Sequence, residues 1–260
     1  MPQALQGKTT IVTGASRGIG RSIAVRLAAA GSSVVLCARD QALLDAAAAE
    51  IRSAGGIAET VALDLRAPDS GKRVVDFTIS RFGLLDIVVN NAGATKRGDF
   101  LDLTDEDFAD GFALKFFGSV RLTRAAWPYL KAAGGSVVFI SGVGGRTPGA
   151  QFTIGGSVNA ALLSLTKALA DLGLRDGVQV NCVNPGTIRT ARYTARLNAL
   201  AKERGLDPES AEREYVKNAA IARIGEPEDI AALVEFITAP GGRMLHGALI
   251  DMDAGATKTI

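Results

Sequence analysis

The sequence predicts a doubly wound α/β fold, in which a mostly parallel seven-stranded sheet carries helices on both faces. Short runs of Val, Ile and Leu alternate along the chain with longer segments of helical periodicity. These runs are continuously apolar, as in strands that are buried on both faces. The 260 residues, 47% of them apolar, show no break in composition. That size and uniformity favour a single domain over residues 1–260.

Seven runs have the composition of buried strands and are bounded by glycine, asparagine or polar clusters. In chain order they are Thr9–Thr13, Ser33–Ala38, Ile57–Leu63, Leu85–Asn90, Ser136–Ser141, Val178–Val183 and Ala248–Met252. Helical segments lie between them at 18–30, 41–53, 69–82, 104–132, 155–175 and 227–238. Because parallel strands connect through right-handed crossovers, this order places helices on both faces of the sheet.

The segment at about 191–220 interrupts this alternation. It is polar, helical in pattern and rich in Arg and Glu, and it precedes the helix that Pro227 opens. An insertion beyond the carboxyl end of a strand is where an α/β sheet builds a substrate pocket, so one interpretation is a small helical substrate cap. A solvated helical pair at a subunit surface is the other interpretation.

Composition excludes several classes of function. A net charge of +2 is too small to indicate a nucleic acid or a membrane surface as partner. Cys37 and Cys182 lie inside strand-like runs and suit packing, and His246 is the only histidine, so no metal site is predicted. Residues 1–8 do not resemble a signal peptide, and no uncharged apolar run reaches the roughly 18 residues of a membrane span. We therefore expect a cytoplasmic protein.

The strongest motif is the run TGASRGIG at 13–20, which lies between the first strand and the first helix. Gly14, Gly18 and Gly20 permit a tight turn and a close approach of the backbone to a pyrophosphate. The helix N-terminus behind them offers unpaired N–H groups and a partial positive charge. With a strand before it and a helix after it, the motif predicts a dinucleotide site.

With three further motifs, the chain resembles the short-chain dehydrogenase/reductase family of Rossmann-type enzymes, and in particular members like the 3-oxoacyl-ACP reductases. These motifs are NNAG at 90–93, NPGTIRT at 184–190 and Asp64-Leu65 after the third strand. The resemblance implies hydride transfer on a small-molecule substrate and a homodimer or homotetramer. It implies cofactor contacts at Gly14, Ser16, Arg17, Gly18, Ile19, Gly20, Asp64, Leu65, Asn91, Ala92, Gly93, Pro185, Gly186, Ile188 and Thr190.

The end of the second strand bears on the choice of cofactor. An acidic residue there would bind an unmodified ribose and repel a 2′-phosphate, but the sequence ends in Ala38-Arg39. Arg39 and Arg17 can pair with a phosphate through planar, charge-assisted hydrogen bonds. This favours NADP(H) over NAD(H), and the alternative is two exposed arginines without a ligand.

Four positions depart from the catalytic pattern of the family. The family uses a tyrosine with a lysine four residues later, a serine before them and an asparagine on the preceding helix. Alignment on the strand end at 139–141 and the helix at 160–167 places Gly155 at the tyrosine position and Asn159 at the lysine position. The serine position falls on Gly142, and the asparagine position falls on Lys115. Without the tyrosine and serine side chains, we expect open space beside the nicotinamide.

The lysine and the asparagine look exchanged between two positions that face one another in the family. We hypothesise that Lys115 reaches into the place of the usual lysine, where Asn159 holds it by a hydrogen bond. A desolvated lysine would have a lowered pKa that suits proton transfer. Two independent substitutions are the alternative explanation.

Two functions therefore stay open. The first is an NADP(H)-dependent oxidoreductase with an altered site, acting on an acceptor that needs little acid assistance, such as an activated double bond or a quinone-like carbonyl. The second is a catalytically silent dinucleotide-binding protein that acts as a sensor or partner subunit. Arg189, Arg192 and Arg196 would either contact an anionic substrate, such as an acyl thioester carrier, or form a solvated, charge-balanced helix face.

Overall fold

The computed structural model describes residues 3–259 and places its strands in one sheet. The strands are β1 (Thr9–Thr13), β2 (Ser33–Ala38), β3 (Ile57–Ala62), β4 (Ile87–Asn90), β5 (Ser136–Ile140), β6 (Gln179–Pro185) and β7 (Leu249–Met252). Their order is β3-β2-β1-β4-β5-β6-β7, and every pairing between them is parallel. The predicted doubly wound seven-stranded fold is confirmed, and each strand lies within two residues of its predicted bounds.

The order of the strands reverses between β1 and β4. From β1 the chain runs outward to β3, crosses back to β4 and continues to β7. In open α/β sheets such a reversal leaves a crevice at the carboxyl ends of the strands, and ligands bind there. The fold therefore predicts a site next to Thr13 and Asn90, the last residues of β1 and β4.

Helices cover both faces of the sheet. In chain order they are α1 (Gly18–Ala29), α2 (Gln41–Ser53), α3 (Ser70–Phe82), α4 (Asp105–Gly111), α5 (Gly118–Ala133), α6 (Thr153–Asp176), α7 (Ala191–Arg204), α8 (Pro208–Ala219) and α9 (Pro227–Thr238). One hydrophobic core lies between the sheet and α1, α2 and α9. The other lies between the sheet and α3, α5 and α6.

Side-chain caps define where several helices begin. The carboxylate of Asp40 accepts a hydrogen bond from the backbone of α2, and that of Asp207 accepts one from the backbone of α8. Thr104 and Asp107 form a reciprocal capping box at α4. Such caps pair backbone N–H groups that the first helical turn leaves free, and each contributes about 1 kcal/mol.

The long helix predicted at 104–132 is divided in the structure. Between α4 and α5, Phe112–Phe117 forms a π-helical segment with a wider turn. Glycines flank this segment because neighbours approach closely: a Cβ at Gly111 would lie 2.5 Å from Cγ2 of Ile154. The hydroxyl of Ser119 also donates to the carbonyl of Lys115 over 2.7 Å. These contacts account for a break that helical periodicity alone does not predict.

The polar segment at 191–220 consists of α7 and α8, which pack on each other. They share a small hydrophobic cluster that is separate from the two cores beside the sheet and includes Tyr193, Leu197 and Ala211. In the described part of the chain, no helix combines the length and apolarity needed to cross a membrane.

Candidate active site

The ends of β1 and β4 are joined by hydrogen bonds at the strand-order reversal. The hydroxyl of Thr13 accepts from the backbone N–H groups of Asn91 and Ala92 over 2.9 and 3.0 Å. The side-chain amide of Asn91 donates back to the carbonyl of Thr13 over 2.9 Å. These bonds bring the glycine motif and the NNAG motif together.

The glycine loop is shaped by close contacts within its own backbone and with the side chain of Asn91. Gly14 has a φ of +63°, in the left-handed region that favours glycine. A Cβ at Gly20 would lie 2.3 Å from the carbonyl oxygen of Gly14 and 2.4 Å from Nδ2 of Asn91. The loop therefore cannot accept a side chain at Gly20 in this conformation. Ser16 and Ile19 belong to the same loop, and the side chain of Arg17, the residue before α1, does not cap the helix.

The segment after β6 approaches this loop from the other side. A Cβ at Gly18 would lie 3.3 Å from Cγ2 of Thr190, so the two motifs are in close proximity. Thr190 caps α7 by accepting a hydrogen bond from the backbone of Tyr193 over 3.4 Å. Pro185 ends β6, and a Cβ at Gly186 would lie 2.7 Å from Cα of Asp253. Ile188, in the NPGTIRT motif, is buried. The structure thus gathers the glycine loop, the NNAG motif and the NPGTIRT motif at one edge of the sheet.

Two arginines at this edge form no ion pair within residues 3–259. Arg17 and Arg39 are exposed. Asp64, by contrast, pairs with Arg66 over 3.3 Å and accepts a hydrogen bond from its backbone over 2.9 Å. The side chain of Leu65 is buried, which leaves its backbone as the part that can contact an adenine.

Lys115 and Asn159 meet at the centre of the candidate site. The ammonium of Lys115, in the π-helical segment, donates to Oδ1 of Asn159 over 2.6 Å and to the carbonyl oxygen of Ser141 over 2.8 Å. Asn159 is buried on α6, and Ser141 directly follows β5. The two positions that look exchanged in the sequence are therefore in direct contact.

The environment of Lys115 favours a neutral amine more than water does. Burial, with a smaller contribution from the nearby charge of Arg192, lowers the pKa of its ammonium to about 8. Its aliphatic chain crosses Gly93, where a Cβ would lie 2.8 Å from Cδ of Lys115. Glycine at this position of the NNAG motif therefore makes room for the lysine.

Gly142 makes room for Asn159 in the same way. A Cβ at Gly142 would lie 2.9 Å from Nδ2 of Asn159. The hydroxyl of Ser141 donates to the backbone carbonyl of Asn159 over 3.1 Å, so it holds the helix that carries this amide. Ser141 is thereby engaged in structure rather than presented to a ligand.

The expectation of open space beside Gly155 is wrong. A Cβ at Gly155 would lie 2.0 Å from ring carbons of Phe152, and one at Gly144 would lie 2.8 Å from the same ring. Phe152 comes just before α6, so its ring folds back over the first turn of that helix. The volume that the absence of a side chain at Gly155 leaves next to the backbone is taken by an aromatic ring from the same chain.

Comparisons with known proteins decide the family. A family model described as short chain dehydrogenase matches residues 8–200. The chain belongs to the short-chain dehydrogenase/reductase family. An uncharacterized oxidoreductase of Mycobacterium tuberculosis is 37% identical over 256 residues, which are 97% of this chain and 93% of that protein.

Solved structures of the family resemble this short-chain dehydrogenase over its whole length. L-sorbose reductase from Gluconobacter frateurii, in complex with NADPH and L-sorbose, has a TM-score of 0.95 and 31% identity and is covered completely in both chains. A short chain dehydrogenase from Burkholderia cenocepacia, in complex with NADP, has a TM-score of 0.84 and 32% identity over 97% of this chain and 99% of its own. The family predicted from the motifs is confirmed.

The sequence did not identify two residues beside the candidate site, Phe152 and Arg97. Phe152 fills the space beside Gly155, and the guanidinium carbon of Arg97 lies 3.9 Å from the centre of its ring. The hydroxyl of Thr153 is buried without a hydrogen-bond partner among the described residues. Arg97 lies four residues after the NNAG motif, and its position beyond a strand end is a signal that could have found it.

Proposed function

We propose that this chain is an NADP(H)-dependent oxidoreductase whose active site uses Lys115 and Asn159 in place of the usual family residues. NADPH or NADP is bound in the two related structures described above, which supports this choice of cofactor. The exposed side chains of Arg17 and Arg39 fit the additional phosphate of NADP(H), because no ion pair within residues 3–259 engages them. The glycine loop fits a pyrophosphate, since its backbone is free of side chains at Gly14, Gly18 and Gly20.

The contact between Lys115 and Asn159 is the observation that carries the proposal. A buried ammonium is costly unless its hydrogen bonds are made, and here Asn159 and Ser141 supply two acceptors. The arrangement holds one positive charge between the ends of β4 and β5 and helix α6. A chain that had lost this site by two unrelated substitutions would not be expected to keep such a bonded pair.

In the proposed reaction Lys115 is the acid. NADPH, held by the glycine loop, would supply the hydride for the carbon of the acceptor. Lys115 would donate one proton from Nζ to the oxygen that gains the carbonyl π electrons. Lys115 is left as a neutral amine, stays hydrogen-bonded to Asn159 and takes a proton from water to begin the next cycle.

The acceptor that fits this site is one that needs little acid assistance. The side chain of Lys115 packs against Gly93, and Gly155 has no hydroxyl that would polarise a carbonyl oxygen. A quinone-like carbonyl or an activated double bond accepts hydride without strong polarisation, so these acceptors suit the site better than a simple ketone. The chain's own α7 and α8 would cover such a substrate from the side of Thr190.

Cofactor binding and turnover test this proposal together. We expect calorimetric titration to give a dissociation constant for NADPH at least tenfold below that for NADH. We expect Lys115→Met, which keeps the aliphatic chain, to slow NADPH oxidation by 9,10-phenanthrenequinone about tenfold, because a quinone needs less acid assistance than a simple ketone. Lys167→Met is the matched control, because Lys167 is an exposed lysine further along α6.

The outcomes separate the two functions. NADPH binding by the wild type without oxidation by any acceptor would support the catalytically silent dinucleotide-binding protein. Failure to bind either cofactor would remove the nicotinamide from the function. Equal activity of Lys115→Met and the wild type would contradict the role of Lys115.

An exchange of the two residues tests whether they act as a pair. Asn159→Lys alone brings two ammonium groups together, and Lys115→Asn alone removes the charge. The double variant Lys115→Asn/Asn159→Lys retains one of each group. We expect it to oxidise NADPH about tenfold faster than the slower of the two single variants, whereas additive losses would indicate two independent positions.

We also propose that the protein is a homodimer or homotetramer, as the family resemblance implies. Leu174 on α6 and Phe236 on α9 are more than half exposed, which supports an apolar contact with another subunit. Light scattering coupled to size-exclusion chromatography measures the assembly. A mass of one chain at micromolar concentration would contradict it.

A further inference from the structure

Three arginines lie at the approach to Lys115. Arg192, on the first turn of α7, donates to the carbonyl oxygen of Gly93 over 3.3 Å. Gly93 is the residue that the chain of Lys115 crosses, so the guanidinium and the ammonium contact the same glycine. Arg196 follows one helical turn later, and Arg97 stands over Phe152 from the loop after β4.

These arginines have no acidic partner within residues 3–259, unlike their neighbours. Just before α7, Arg189 pairs with Glu212 over 2.7 Å and with Glu226 over 2.9 Å. The other arginines of 189–223 that pair with acids are Arg204, Arg213 and Arg223. Beside Arg97, Lys96 pairs with Asp107 over 2.7 Å. The expectation of a charge-balanced face therefore holds for Arg189 and fails for Arg192 and Arg196.

The three unpaired guanidiniums affect one another. Burial lowers the pKa of Arg97, and the charges of Arg196 and Arg192 lower it further. Their planar groups are held by neutral contacts instead: Arg97 by the ring of Phe152, Arg192 by Gly93 and Arg196 by the hydroxyl of Tyr215 over 3.3 Å. Like charges held close without a counter-charge repel, and an anion among them would relieve that repulsion.

We propose that Arg97, Arg192 and Arg196 form an anion subsite, so that the substrate carries a carboxylate, phosphate or similar group close to the carbonyl that is reduced. The inference rests on the proposed function, since it places this anion next to Lys115. Arg97 and Arg192 come from two different elements, the loop after β4 and helix α7. An anion bound between them would hold the reacting carbon beside Lys115 and draw α7 over the substrate.

The subsite is tested with a matched pair of aldehydes, 4-formylbenzoate and its neutral methyl ester. Calorimetry measures their binding to NADP⁺-saturated protein. We expect the acid to bind the wild type at least tenfold more tightly than the ester. We expect Arg97→Gln and Arg192→Gln each to weaken binding of the acid at least tenfold more than binding of the ester, because a charge-assisted bidentate contact is lost.

Lys202→Gln is the matched control for these variants. Lys202 is exposed in the last turn of α7, about 15 Å along the helix from Arg192. Its substitution by Gln removes one positive charge from the same helix. Its variant is expected to keep the tenfold preference for the acid. Equal binding of acid and ester by the wild type would overturn the subsite, as would equal losses for both ligands in the arginine variants.

Two measurements distinguish this subsite from other outcomes. If Arg192→Gln weakens NADPH and 4-formylbenzoate by the same factor, Arg192 serves the cofactor and the substrate subsite is overturned. The aldehyde titration measures binding and does not require turnover. A preference for the acid in a protein that does not oxidise NADPH would therefore support the anion subsite while contradicting the proposed reaction.

Discussion

Glycines line both halves of the candidate site, but different neighbours occupy the space beside them. At the proposed cofactor edge, formed by the glycine loop at 13–20, the missing side chain of Gly20 leaves room for the carbonyl oxygen of Gly14. At the proposed substrate edge, the missing side chain of Gly155 leaves room for the ring of Phe152, and that of Gly142 leaves room for the amide of Asn159. The nearest neighbour is thus a backbone atom at Gly20 and a side chain at Gly142 and Gly155.

This difference explains why one half follows its motif and the other departs from it. A carbonyl oxygen is present whatever residue carries it, so a backbone neighbour cannot be exchanged by substitution. The ring of Phe152 and the ammonium of Lys115 exist only because of the residues at those positions. The substrate edge can therefore change its chemistry while the sheet and the glycine loop remain intact.

The largest effect is expected from a methyl group at the cofactor edge. In Gly20→Ala the new Cβ would contact the backbone of Gly14, which must shift, and such overpacking costs about 1–3 kcal/mol. We expect the dissociation constant for NADPH to rise about 5- to 150-fold. Gly149→Ala is the control, since nothing lies within 4 Å of a Cβ there. Equal NADPH binding by both variants would break the contrast between the two edges.

The pH dependence of reduction reports on the substrate edge. Because burial lowers the pKa of Lys115 to about 8, the acid form is lost above that pH. We expect kcat/KM for reduction to be flat below about pH 8 and to fall about tenfold per unit above it, while the reverse oxidation rises up to about pH 8. Lys115→Met should remove this inflection from the pH–rate profile. An inflection that survives the substitution would assign it to another group.

The same pKa makes stability depend on pH. Between the pKa of about 8 in the folded protein and the ordinary value of 10.5, the unfolded state binds more protons at Lys115. The free energy of unfolding contributed by this group therefore rises with pH across that window. Urea titrations of the wild type and Lys115→Met should diverge between pH 8 and 10.5. Parallel curves would contradict a buried, charged lysine.

An effect confined to NADPH is expected at the end of β2. Arg39→Gln removes a charge that the proposed 2′-phosphate would contact, and such a hydrogen bond contributes about 1.5–3 kcal/mol. We expect NADPH affinity to fall at least about tenfold and NADH affinity to stay within about twofold, since NADH lacks the phosphate. Calorimetry with both cofactors measures the ratio. Equal losses for NADPH and NADH would indicate that Arg39 only supports the loop.

The smallest effect is expected from a methyl group at the substrate edge. In Gly155→Ala the Cβ would contact the ring of Phe152, which can rotate away because it is a side chain. We expect a loss of about 1 kcal/mol in the free energy of unfolding, below that of Gly20→Ala. Phe152→Ala should reduce this loss when the two changes are combined, and denaturant unfolding of all four proteins measures the coupling. Additive losses would mean that the ring is not what limits position 155.

Sequence reasoning located the sheet, the glycine loop and the pair at 115 and 159, because each depends on local pattern or on motif register. The period of the apolar runs places Thr9–Thr13 and the other strands. Nothing local indicates that Phe152 folds back on Gly155, since that contact depends on how the loop enters α6. The break at Phe112–Phe117 depends in the same way on the close approach of Gly111 to α6.

The wide turn at Phe112–Phe117 also bears on how this lineage can diversify. A π-helical turn holds about one residue more than an α-helical turn. Deleting one residue from it would restore the α-helix and rotate the preceding side chains by about 100° relative to α5. Helix α5 packs against α3 and need not move. A single-codon deletion would thus turn the side chain at 115 away from Gly93 while the sheet and α5 stay in place, and the cost would fall on α4, where Gly111 would turn away from Ile154.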